Sequence, residues 1–153
     1  MKVLVNRVPV SGPWGGGNLL VKSLFEILPE MGVNITSKFE EGIDLIFMQD
    51  PRYGDTGISI NEIIRYKSQN PGTKIVHRVN ECDARKGLNN DIDPIIQACS
   101  QYTDMNIFIS EWIKDYHINK KDWSCKKNKV IYSGTDRTIF RPNEKIKNEK
   151  INL

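Results

Sequence analysis

The chain has 153 residues, 39% of them hydrophobic and 27% charged. That is the size and composition of one ordinary globular domain, large enough to fold without disulfides or a metal. A formal net charge of +3, with basic residues spread out except near the C-terminus, predicts no nucleic-acid partner.

Short apolar runs alternate with amphipathic stretches, the pattern of a parallel sheet flanked by helices. Lys2 to Val8 reads as the first strand and Pro9 to Gly17 as a glycine- and proline-rich loop. Asn18 is placed to cap a helix running to about Met31, with Leu20, Val21, Leu24, Ile27, Leu28 and Met31 on one face. Pro29 should loosen its last turn and Gly32 stop it. Val33 to Ser37 is a weak second strand. Asp44 to Met48 is a third, and its run Leu45-Ile46-Phe47-Met48 suits a strand covered on both faces. After the loop Gln49 to Ser59, Ile60 to Lys67 reads as a helix with Ile60, Ile63 and Ile64 inward, ended by Asn70-Pro71-Gly72.

Lys74 to Val79 is a fourth strand and Asn80 to Asn90 a polar loop. Asp91 to Tyr102 is a helix with Pro94 in its first turn and Ile95, Ala98, Cys99 and Tyr102 as its apolar stripe. Asn106 to Ser110 is a fifth strand, Glu111 to about His117 a short helix, and Val130 to Tyr132 a sixth strand. The fold class is therefore α/β: a Rossmann-like, doubly wound parallel sheet of about six strands, ordered 3-2-1-4-5-6, within one domain over 1–142. Residues 143–153 read as a charged linker.

Cys82, Cys99 and Cys125 are odd in number and far apart, with no Cys-x-x-Cys spacing, so reduced thiols in a cytoplasmic protein are the simplest reading. Met1 leads straight into Lys2-Val3-Leu4-Val5, too short for a signal-peptide core, and no apolar run is long enough to cross a bilayer.

Ligands of such sheets bind at the C-terminal ends of the strands, which directs attention to four loops: 9–17, 49–59, 80–90 and 133–136. In the first, Gly12-Pro13-Trp14-Gly15-Gly16-Gly17-Asn18 joins strand to helix. Its glycines let a ligand approach the backbone, and the helix N-terminus offers N–H groups to an anion. It is not a P-loop, because Asn18-Leu19 stand where Lys-Ser/Thr is required, nor a dinucleotide fingerprint, which would need glycine at Leu20. Trp14 reads either as a surface-packed residue or as a stacking platform for a sugar or base. At the end of the fourth strand, alternation puts His77 and Arg78 on opposite faces. Asn80, Glu81 and Asp83 lie beyond it, where a carboxylate could accept sugar hydroxyls, and Arg85-Lys86 could meet a phosphate. In Val130-Ile131-Tyr132-Ser133-Gly134-Thr135-Asp136-Arg137-Thr138-Ile139-Phe140-Arg141-Pro142, Gly134 permits a positive φ, Phe140 is the expected buried anchor and Pro142 stiffens the way out.

That last stretch resembles the V-I-x-N-G-V-D-x-x-x-F-x-P segment of family 4 glycosyltransferases with the GT-B fold. The Gly loop with its helix, Gly15 to Leu28, and the stretch Asn106 to Ile113 are also similar to that family. The resemblance implies the N-terminal, acceptor-side half of a retaining enzyme that uses a nucleotide-sugar donor as co-substrate. It implies a sugar or glycan acceptor as partner, no permanently bound cofactor and no essential metal. Gly15, Gly16 and Gly17 would line the cleft near the donor phosphates. Asn80 and Glu81 stand where many members carry a catalytic His-Asp pair, and Ser133 replaces the commoner Asn. Trp14, Asn18, Asp83, Arg85 and Ser133 would contact substrate. The family's donor-binding half has no room after Pro142, and Lys150-Ile151-Asn152-Leu153 looks like its first residues, so a second donor-binding domain or chain is an expected partner. A non-catalytic sugar- or nucleotide-binding module is the alternative, and the broken fingerprint disfavours a nucleotide-dependent oxidoreductase.

Overall fold

The computed structural model describes residues 1–12, 14–52, 57–87, 92–120, 123–125 and 127–137. It is an α/β fold built on one parallel sheet of six strands. The strands are β1 (Lys2–Val5), β2 (Asn34–Thr36), β3 (Leu45–Met48), β4 (Lys74–Val79), β5 (Met105–Phe108) and β6 (Asn128–Val130). The helices are α1 (Gly15–Glu30), α2 (Ile60–Gln69), α3 (Asp83–Lys86), α4 (Ile92–Ser100) and α5 (Glu111–Lys120).

The strand order is β2-β1-β3-β4-β5-β6, which corrects the expected 3-2-1-4-5-6. The apolar strand β3 lies between β1 and β4, pairing Leu4 with Ile46 and Phe47 with Val76. The weak strand β2, three residues with an exposed Asn34, takes the edge. Residue chemistry explains the exchange: Leu-Ile-Phe-Met gains most where both faces are covered, whereas Asn-Ile-Thr tolerates an edge.

Right-handed crossovers then fix the layers. The chain leaves β1 toward β2 in one direction and runs β3 to β6 in the other, so α1 lies on one face and α2, α4 and α5 on the opposite face. On the α1 face Val3, Val5 and Val21 are buried, with Leu24, Phe25, Leu45 and Phe47 packed around them. On the other face Leu4, Ile46, Met48 and Ile75 meet Ile63 of α2 and Cys99 of α4, while Val79 and Phe108 meet Ile92 and Ile96 of α4 and Ile113 of α5. Val76, Met105 and Ile107, on the α1 side of β4 and β5, are only half-buried.

Several local expectations shift. Helix α1 starts three residues before Asn18, with Trp14 at its N-cap and no side-chain cap; Asn18 instead clamps the backbone of Val10 through its Oδ1 (2.8 Å) and Nδ2 (2.7 Å). Pro29 sits in the last turn. Helix α2 opens with a capping box, Ser59 and Glu62 each bonding the other's backbone N–H. The polar loop after β4 contains α3. In α4 the buried apolar residues are Ile92, Ile96 and Cys99, while Ala98 and Tyr102 are exposed, so the stripe is displaced toward the N-terminus. The last strand lies earlier than expected and leaves Ile131 and Tyr132 exposed. Gly134 does not use a positive φ. All three cysteines are buried and none forms a disulfide. Among the described residues no helix is long and apolar enough to cross a membrane. Phe140, Pro142 and the 143–153 segment lie outside the described residues.

Candidate functional site

In a 2-1-3 arrangement the crossovers diverge between β1 and β3, leaving a crevice at the strands' C-terminal ends where ligands of open α/β sheets bind. A cavity of about 260 Å³ opens there. Its lining comes from the Gly loop and α1 (Val10, Trp14, Gly17, Asn18), the exits of β1 (Arg7) and β3 (Gln49, Asp50, Arg52), and the end of β4 (Asn80, Glu81).

Asn6 organises the floor. It is 1% exposed, and its side chain makes three hydrogen bonds to backbone: Nδ2 to the carbonyls of Asp50 (2.7 Å) and Ile58 (2.9 Å), and Oδ1 from the N–H of Gln49 (2.7 Å). These bonds hold the outgoing segment of β3 against the end of β1. The returning chain passes so close at Gly57 that a Cβ there would fall 2.5 Å from the carbonyl oxygen of Asn6. Only glycine fits that approach.

On this floor stands a chain of charges. Arg7 Nη2 lies 3.1 Å from Asp50 Oδ2, Arg52 grips both Asp50 oxygens, and Arg52 Nη2 reaches Glu81 Oε2 at 3.2 Å. Burial pushes the Asp50 carboxyl up, but the hydrogen bonds and charge of Arg52, with the charge of Arg7, outweigh it and hold the group below its ordinary range. The Asp50 hydrogen bond raises Arg52 in turn. Two guanidiniums thus neutralise two carboxylates beside the cavity.

The sequence-predicted residues divide. Trp14, Gly17, Asn18, Asn80 and Glu81 come together around the cavity, and Trp14 is 64% exposed beside it. Gly15 and Gly16 form the exposed start of α1, where a Cβ would meet open space. Three others are not part of the lining. Asp83 is occupied by structure: its carboxylate accepts the N–H groups of Ile92 and Asp93 at the start of α4, and its own N–H donates to Asp93 Oδ1 at 2.9 Å. Arg85 returns to the carbonyl of Asn80 (2.8 Å), and Ser133 accepts from Arg78 Nη2 (3.1 Å).

The sequence reading assigned no role to Arg7, Asp50 or Arg52. Their signal was polar residues directly after two buried strands, Asn6-Arg7 and Gln49-Asp50-Pro51-Arg52, at the ends where such sheets bind ligands. Among the described residues no three His, Cys, Asp or Glu side chains gather as a metal site. Comparison with protein-family models and with curated proteins gives no match, so the functional reading stands on this geometry.

Proposed function

We propose that this chain is the acceptor-side half of a retaining, nucleotide-sugar-dependent glycosyltransferase of the GT-B kind, and that the rim cavity receives the acceptor saccharide. The observation that carries the reading is the cavity's chemistry: one exposed indole beside two guanidiniums, two carboxylates and the amides of Asn18, Gln49 and Asn80. Planar polar groups held by one another present fixed donors and acceptors to hydroxyls, and an indole offers an apolar face to a sugar ring. The charge balance suits a polyhydroxylated ligand. The first turn of α1 carries neither a side-chain cap nor an acidic residue, which suits donor phosphates arriving across the rim. In this reading Asn80 and Glu81 orient the reacting hydroxyl, and Gly15 to Gly17 face the donor.

A non-catalytic saccharide-binding module is favoured by one observation: Glu81 is tied to Arg52, and Asn80 cannot serve as a base.

The test is calorimetric titration of the chain with a panel of free mono- and disaccharides, alongside the Trp14→Ala and Glu81→Ala variants. Each substitution is expected to weaken binding on the order of tenfold. Melting should barely move in Trp14→Ala, since exposed substitutions usually change stability by about 0.5 kcal/mol or less. Lower melting temperatures with unchanged binding would assign both residues to structure instead.

A further inference from the structure

Arg78 is the cation of this rim that the saccharide cavity leaves unexplained. Alternation along β4 puts it opposite the buried His77, on the α1 face with Val76, and the register with β3 brings it beside Gln49. Its guanidinium is half-buried. Nη2 donates to Ser133 Oγ at 3.1 Å and Nη1 to Gln49 Oε1 at a long 3.4 Å. Both acceptors are neutral. Arg7 and Arg52 each hold Asp50, whereas no carboxylate among the described residues pairs with Arg78. Burial depresses its pKa, and no charge among the described residues offsets that.

A guanidinium stays protonated, so a half-desolvated one without a counter-ion costs free energy that an anion would recover. Its position says which ligand could supply the anion. Gln49 is the side chain between Arg78 and the first turn of α1, since a Cβ on Gly17 would lie 3.4 Å from Gln49 Nε2. Gln49 also lines the cavity. A group bound at Arg78 would therefore adjoin a sugar seated in the cavity and would meet a forked donor, a hydroxyl and an amide.

We propose that the acceptor is a phosphorylated sugar or polyol, and that Arg78, with Gln49 and Ser133, seats its phosphate monoester. The assignment rests on the saccharide reading of the cavity. The arginine fork matches two phosphate oxygens at once, which a neutral hydroxyl cannot exploit. Arg78 and Ser133 are 55 residues apart, so the seat forms only when the strand that ends at Val130 delivers Ser133 to the rim.

The experiment compares hexoses, their phosphate monoesters, inorganic phosphate and uridine diphosphate by calorimetry on the 153-residue chain. Wild type should bind a hexose phosphate about tenfold tighter than the parent hexose. The preference should fall to about one in Arg78→Gln and persist in Lys74→Gln, which removes a charge at the opposite end of β4. Arg78→Lys keeps the charge without the fork and should retain part of it, so a poorly folding Arg78→Gln does not remove the test. Equal binding of hexose and hexose phosphate by wild type overturns the phosphate seat and leaves the saccharide reading standing. A preference that survives Arg78→Gln also overturns it, as does Arg78 dependence confined to uridine diphosphate. Arg78-dependent binding of inorganic phosphate without affinity for any hexose upholds the seat and sinks the saccharide reading. No binding by any of the four classes sinks both.

Discussion

Acidification from pH 6.5 to 4.5 is expected to lower the unfolding free energy by roughly 1 kcal/mol per pH unit through His77 alone. His77 is 1% exposed, paired across the sheet with Met48 and Asn106, and its Nδ1 has no hydrogen-bond partner among the described residues. Burial lowers its pKa from 6.5 to about 3; the charge of Asp50 works against that fall and His117 adds to it. The folded state therefore holds the ring neutral while the unfolded chain takes a proton near pH 6.5. Stability is complete above 6.5 and is lost as the pH falls toward about 3, on the order of 5 kcal/mol in all. That is comparable to the whole stability of many domains.

Depressed carboxylates contribute in a different window. Asp50 and Asp104 have lowered folded values, so their contribution is present above the ordinary 3.8 and is lost only below it. Between 6.5 and 4.5 the effect can be isolated by substitution. His77→Met fills a similar volume without a titrating group. Urea unfolding at a series of pH values should show the wild-type slope shrink by roughly 1 kcal/mol per pH unit in that variant. An unchanged slope would mean that His77 is not the buried neutral group described here.

The second large effect belongs to Asn6. Asn6→Ala removes all three side-chain bonds that fix Gln49, Asp50 and Ile58, leaving backbone groups without partners in a largely buried place. At roughly 1 kcal/mol or more for each, the loss is on the order of 3 kcal/mol. For a chain of this size that corresponds to a melting point lower by roughly 10 °C. Binding should weaken too, because Asp50 and Arg52 stand on the segment that Asn6 holds. A melting point within 2 °C of wild type, on a scale of about 3 °C per kcal/mol, would show that the three bonds are replaceable.

The sequence made the parallel α/β class legible because its signals are local: β4 has the bounds its apolar run suggested, and the Gly loop and Asn80-Glu81 fall on the rim where strand ends belong. Strand order was not local. It depends on which strand wins the central place, and the gain from covering Leu45 to Met48 on both faces outweighed sequence adjacency of β2 and β3. The start of α1 was misread because Asn18 has cap chemistry but spends its amide on Val10. Asp83 looked like a ligand for sugar hydroxyls and serves α4, through a reciprocal arrangement with Asp93 that only the fold creates. The charge chain through Arg7, Asp50, Arg52 and Glu81 joins three strand ends, and no spacing in the sequence announces it.

The central claim is that the crevice between β1, β3 and β4 is a saccharide site, and chemical-shift mapping tests it most directly. Titrating isotope-labelled chain with a panel of saccharides and saccharide phosphates should move the indole N–H of Trp14 together with the backbone signals of Gly17, Gln49, Asn80 and Glu81. These come from three separate segments and share only the cavity. Signals at the opposite end of the sheet, such as Asp44 and Thr73, should stay in place. Coordinated, saturable shifts of the five rim residues with at least one sugar is the predicted result. Shifts that avoid the rim, or no shift with any saccharide, would contradict the account.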